Sequence, residues 1–241
     1  MMLLAELNAK GAEFEASIED AEGSLHSRFL EVYQLEHRVW LQTVGLLAKC
    51  YDFKSQFGNG TPNLITSKQT VYFATYVQGV VATKRCIIEG HYAKAAAMLK
   101  QDVEIFARVR EIQKGCDVEG DNPNVKHLPD GFRMLYGALN NLAHPGNTHL
   151  LEEHLESIKL QSDSNVGLSP IPIFNSETAK GMCELHVHLC FQMIREFLIM
   201  LARVHGTSDS GLDELVNELN GLRLQIAESL PHSVEPASKP L

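Results

Sequence analysis

The chain has 241 residues, 44% of them hydrophobic and 21% charged, enough for a sizeable core and unlike a disordered polymer. Acidic residues outnumber basic ones by 30 to 21, for a formal charge of −9, which argues against duplex DNA as a partner because phosphate binding wants a positive surface. The five cysteines are odd in number, widely spaced and without a CxxC pair, so neither a disulfide framework nor a zinc knuckle is expected, and a reducing cytoplasm fits them.

Helical periodicity dominates, and alternating strands are not apparent. A first helix is expected over Leu3–Ala21, ended by Gly23, and a second over Ser24–Phe53. The run Gly58-Asn59-Gly60-Thr61-Pro62-Asn63 breaks the pattern. Helices over Ser67–Glu89 and His91–Lys114 follow, separated only by Gly90, which predicts an antiparallel hairpin. Cys116–Pro129 reads as a surface loop, with Asp130 as the cap of a fifth helix over Gly131–Ala143 that stops at His144-Pro145. A short helix is expected at Leu150–Ile158 and a loop at Leu160–Phe174. The most apolar helix, Ser176–His205, should be central; an amphipathic one over Leu212–Ala227 closes the fold. The expectation is an all-α protein: a single helical bundle of about six or seven helices with an antiparallel core, residues 1–230, and a disordered tail, 231–241. The apolar run near Ile194–Val204 carries Arg195, Glu196 and Arg203 and reads as too short to cross a bilayer, and the N-terminus lacks the features of a signal peptide. No membrane association is therefore expected.

The sharp enzymatic motifs are missing: there is no phosphate-binding Gly-rich loop, no GxSxG, no HExxH and no EF-hand loop. The nearest approach to a metal motif is Cys183-x-x-His186 with Glu184 and His188. His186 and His188 point about 200° apart on a helix, so they read as core and surface histidines, and neither metal nor cofactor is expected. Tyr72, Phe73 and Tyr76 with Lys84-Arg85 read as core packing beside a cationic helix end rather than a base-stacking platform.

Phe132–His154 is the most informative stretch. At 100° per residue, Phe132, Leu135, Leu139 and Leu142 form an apolar stripe, with Arg133, Gly137, Asn140 and His144 on the other side. Asn140 and His144 lie one turn apart, whereas Arg133 is about 16 Å from His144 along the axis. Two readings of His144 follow. It is a general base or phosphate donor assisted by Asn140, or it is a helix-end histidine interacting with the dipole and the last carbonyls.

The segment Leu139-Asn140-Asn141-Leu142-Ala143-His144-Pro145-Gly146 resembles the end of the signature helix of HEPN-type proteins, in which Arg, often followed by Asn, precedes His. Asn140 and His144 match; Leu139 stands where the defining Arg belongs. The chain is also similar to all-helical bacterial proteins that pair a "G-x-Y…A…R-x-x-x-E" helix with a later "Y…L…AHP" helix. Gly90, Tyr92, Ala96, Glu104, Tyr136 and Ala143-His144-Pro145 match, with Lys100 in place of Arg, over about residues 71–204. Many HEPN-type proteins are dimeric, metal-independent ribonucleases whose Arg and His meet across two subunits. The resemblance therefore implies a homodimer, an RNA or nucleotide ligand, and a polar pocket of Lys100, Glu104, Asn140 and His144, with His144 and Asn140 the candidate catalytic pair and Lys100, Glu104, Arg133 and Tyr136 the candidate ligand contacts. Losing the Arg removes the group that would stabilise a phosphorane, at a cost of about 10²–10³ in rate. The expectation is a HEPN-like binding or interaction protein; the alternative is an RNA-cleaving enzyme of toxin or defence type that uses His144.

Overall fold

In the computed structural model, which describes residues 2–56, 63–144, 172–205 and 210–229, seven α-helices and one short 3₁₀ turn make up the regular structure. They are α1 (Met2–Val32), α2 (Gln34–Gln56), α3 (Leu64–Ile88), α4 (Tyr92–Lys114), the turn Val125–His127, α5 (Asp130–Ala143), α6 (Ser176–His205) and α7 (Ser210–Ser229). There is no strand among the described residues. The protein is an all-α bundle, as the periodicity implies.

The apolar girth of α6 decides the arrangement. Leu189, Met193, Ile194, Phe197 and Leu201 are buried, and α2, α3, α4 and α7 all pack on the helix. Phe73 of α3 meets Phe197 at 4.7 Å between ring centroids. α6 has the length and composition to cross a membrane, which corrects the expectation that its apolar run is too short; 83% of its most apolar window is buried inside the bundle. A helix that finds apolar neighbours all round has no exposed face left for lipid. The first turn of α6 is held by two tyrosines. Tyr33 donates its hydroxyl proton to the Ser176 carbonyl at 2.9 Å, and Tyr92 donates to the Asn175 carbonyl at 3.2 Å while accepting from the Asn175 amide at 3.0 Å. The Asn175 side chain then accepts from the Thr178 amide, so Asn175 caps α6.

Two glycines act as the sequence suggests. Gly115 ends α4 in the left-handed region, and Gly90 turns α3 into α4 at φ +78°. A Cβ on Gly90 would approach the Ile173 carbonyl oxygen and Leu25 Cδ1 at 3.0 Å each, so the turn is pressed between α1 and the strand-like entry to α6. Gly23 behaves differently: α1 runs through it to Val32, because its φ is ordinary and nothing crowds it. The interruption falls at Tyr33 instead, and the second expected helix is split there. Asp130 is also not a cap. Pro129 takes that position, and Asp130 sits in the first turn of α5, where a carboxylate is favoured by the helix dipole. Asn63 does cap α3, in a reciprocal box with Thr66. The expected helix at 150–158, most of the loop at 160–174 and the tail at 231–241 lie outside the described residues.

The 115–129 connection is fastened by a buried ion pair. Arg108 and Glu111 meet at 2.9 Å; Arg108 also donates to the Val118 and Asp121 carbonyls, and Glu111 accepts from the Asn124 amide at 2.6 Å. This connection delivers α5 onto α4, where Phe132 and Phe106 pack edge to face at 5.5 Å.

Replacing Gly90 by alanine forces a side chain into a left-handed residue with no room for it. A destabilisation of about 1–3 kcal/mol is expected from urea unfolding. Phe197→Ala should cost about 3–5 kcal/mol in the same assay, since it leaves a cavity at the centre of the bundle.

Candidate functional site

The α4–α5 face gathers half of the expected residues. Lys100 and Glu104, one turn apart on α4, approach to 3.8 Å, and each side chain is about one-third exposed, at 28% and 30%. From α5, Tyr136 donates its hydroxyl proton to Glu104 at 2.8 Å, while Lys100 Nζ lies 5.9 Å from the centre of the Tyr136 ring. Partial burial, then the hydrogen bond to Glu104 and its charge, pushes the Tyr136 hydroxyl up to about 12. Tyr136 is therefore a fixed donor at neutral pH, not an acid or a base. The three residues come together because the apolar stripe of α5 lies on the core, with Phe132 and Leu139 buried and Leu135 and Leu142 packed against it. That orientation turns Tyr136 toward α4.

The other expected residues do not join them. Asn140 is half-buried and His144 exposed, with extended backbone at the C-terminal cap of α5. Among the described residues, no hydrogen bond, ion pair or ring contact links either one to Lys100, Glu104 or Tyr136. Arg133 is held by Asp130 at the opposite end of α5. Of the six expected site residues, the printed contacts thus join Lys100, Glu104 and Tyr136 and leave Asn140, His144 and Arg133 outside that trio. Between α5 and α6 runs a groove of about 710 Å³, lined by Leu135, Leu139 and Leu142, by Met182 and Leu185, and by the polar start of α6 at Ser176, Glu177 and Thr178. None of the six lines it.

A second polar cluster escaped the sequence reading. Lys84 is 5% exposed, so it is no surface helix end. Its ammonium lies 3.7 Å from the centre of the Trp40 ring and donates to His37 Nδ1 at 2.6 Å. Burial lowers Lys84 to about 8. Burial and then Lys84 lower His37 as well, so its ring is neutral and can accept. His186 of α6 packs beside Trp40, at 6.4 Å between ring centroids, fully buried and with neither ring nitrogen hydrogen-bonded. Burial, reinforced by Lys84, lowers His186 to about 3, and burial lowers His188 to about 4. The one available signal was the alignment of Lys84 with the buried Tyr76, Val80 and Ile87 on α3, which places it on the inward face. Tyr76 and Phe73 are buried, consistent with the core reading of that stretch. Among the described residues, three ligand-bearing side chains converge at Glu22, Glu89 and His91, away from the Cys183–His188 stretch. There Glu22 pairs with His91 at 2.7 Å and Arg85 with Glu89 at 2.7 Å.

The buried histidines make stability pH-dependent. Below about 6.5 the unfolded chain binds protons that folded His186 and His188 refuse until about 3 and 4, so their contribution to stability falls as pH decreases through that window. His186→Leu removes one of these sites along with two unsatisfied polar atoms. Its acid-unfolding midpoint should shift to lower pH, with stability at pH 7 unchanged or raised, as followed by circular dichroism.

Compared with known proteins, the chain matches no family model, no curated protein and no solved structure.

Proposed function

We infer that this chain is a HEPN-like binding protein without standard ribonuclease catalysis. The observation that carries the reading is Leu139. It occupies the position of the HEPN arginine, and its side chain is 4% exposed, turned into the core. A guanidinium is therefore missing from that position, and Arg133, the arginine of α5, is paired with Asp130. His144 then lacks a partner on its own helix to stabilise a pentacoordinate phosphate. What remains is a recognition surface. Lys100 offers a cation to one phosphate and Tyr136 an aromatic face. Glu104 neutralises part of this charge and suits a ligand read by hydrogen bonds more than by Coulomb attraction. A nucleotide or a short single-stranded RNA segment has this chemistry.

A second reading is supported by the exposure of His144, which leaves its imidazole open to solvent as a base. Cleavage of RNA in EDTA, wild type beside His144→Ala, separates the two. The binding reading expects no cleavage by either; cleavage lost in the variant would replace it with the nuclease. Fluorescence anisotropy with labelled single-stranded RNA tests recognition directly. Wild-type binding should show a shallow salt dependence of slope about −0.7, as for a single phosphate contact, and Lys100→Ala should weaken it several-fold and flatten that slope.

A further inference from the structure

A second cluster of polar side chains forms where α1 meets the α3–α4 turn. Gly90 holds that turn in the left-handed region, and a Cβ there would approach Leu25 Cδ1 of α1 at 3.0 Å. Leu25 is therefore pressed onto the turn, and Glu22, three residues earlier, shares its face of α1. Glu89 and His91 flank Gly90, as the C-cap of α3 and the N-cap of α4. The same packing thus brings one side chain from each of three elements to one place. Their donor atoms all lie within 4.8 Å of one another. Glu89 is buried, and Glu22 and His91 are half-buried. Spacing along the chain hides the set, since 69 residues separate Glu22 from His91.

The local helix chemistry does not account for these residues. His91 is an N-cap whose side chain makes no capping hydrogen bond, and imidazole is not among the preferred caps. Its ring turns to Glu22 instead, with Nε2 at 2.7 Å from Oε1. Glu89 holds Arg85 at 2.7 Å, but the Arg85 side chain is 70% exposed and is free to swing into water, leaving Glu89 to another cation. One imidazole nitrogen and two carboxylates make a mixed donor set. Ca²⁺ and Mg²⁺ take oxygen, whereas imidazole suits zinc and its neighbours among the transition metals. Three such ligands, with a further position left to water, are enough to hold Zn²⁺. Ligands at about 2.1 Å in tetrahedral geometry stand about 3.4 Å apart, so rotation of the two glutamate side chains by about 1 Å closes the shell.

We propose that Glu22, Glu89 and His91 bind one divalent metal ion of the zinc class, which ties α1 to the α3–α4 turn. The ion takes the place of the proton held between His91 Nε2 and Glu22, and the remaining ring proton resides on Nδ1. The tie falls where α1 has most to gain from it. Every residue from Leu7 to Ser17 is exposed, and α1 enters the core only with Leu25 and Phe29, so the helix is held at one end. Glu22 stands at the start of that held part. None of the three ligands belongs to the α4–α5 face, and the site does not rest on the binding function inferred there.

Calorimetric titration of the full chain with Zn²⁺, after treatment with EDTA and dialysis, tests this. One ion per chain is expected whose binding both His91→Asn and Glu22→Gln weaken by more than the roughly 10–100-fold that loss of an outer-shell partner costs. Asn is a better N-cap than His, so His91→Asn should keep the near-ultraviolet circular dichroism of the wild type. Arg85→Ala removes the competing cation and should tighten binding several-fold, a gain that a site without Glu89 would not show. Mg²⁺ should not displace the ion. Bound Zn²⁺ should slow amide exchange in residues 18–32 of α1 and leave α6 unaffected. Failure of the wild type to take up Zn²⁺ overturns the proposal. So does uptake that His91→Asn and Glu22→Gln leave intact, which would be an adventitious ion only, on other histidines or cysteines. Displacement by Mg²⁺ overturns the zinc class, and binding without slower exchange in α1 overturns the tie.

Discussion

Burial of α6 on every side is the constraint from which the rest of the structure follows. A 30-residue helix with apolar side chains around most of its girth can be satisfied in water only by surrounding it, and α2, α3, α4 and α7 do so. The α3–α4 hairpin must then bend tightly enough to lie along it, which Gly90 permits, and the start of α6 must be held in register, which Tyr33 and Tyr92 accomplish. α5 is not part of this inner shell. It rides on α4, and its place is set by Phe106, Phe132 and the ion pair that fastens the preceding connection.

The same burial carries polar groups inside at some cost. Lys84, His186 and Asp102 are each nearly or fully removed from water. Lys84 is compensated by a ring face and a neutral imidazole rather than a carboxylate. Asp102, accepting from Thr83 at 3.2 Å, is raised by burial to about 7. His186 forms no hydrogen bond at all. Filling those positions with apolar residues of similar volume would satisfy the core at least as well. The interior is therefore less optimised for stability than its packing alone suggests, and its charge state changes near neutral pH.

Two outer elements lie outside this inner shell. α5 presents one face to the core and another, through Tyr136, to Lys100 and Glu104. The first half of α1 presents Leu7 and Phe14 to solvent. Both are amphipathic, but only α5 has found its apolar neighbours within the chain.

The helices and the central place of α6 were legible in the residues alone, because a 3.6-residue period and a wide apolar face are local properties of the chain. So were the turn at Gly90 and the orientation of α5, through the stripe Phe132, Leu135, Leu139 and Leu142. Glu104 and Tyr136, marked by motif resemblance, do meet, since each lies on the edge of its helix's apolar face. The internal position of Lys84 came from packing between helices. A lysine at a helix end reads as exposed until the opposing helix is known, and it is Trp40 and His37 on α2 that receive it. α1 runs through Gly23, which nothing crowds, since a glycine breaks a helix only where the surrounding chain requires a conformation that other residues resist. Tertiary structure also left His144 apart from Lys100. Spacing along a helix establishes which residues share a face, whereas the meeting of two faces depends on the rotation and offset of helices packed by residues distant in the chain.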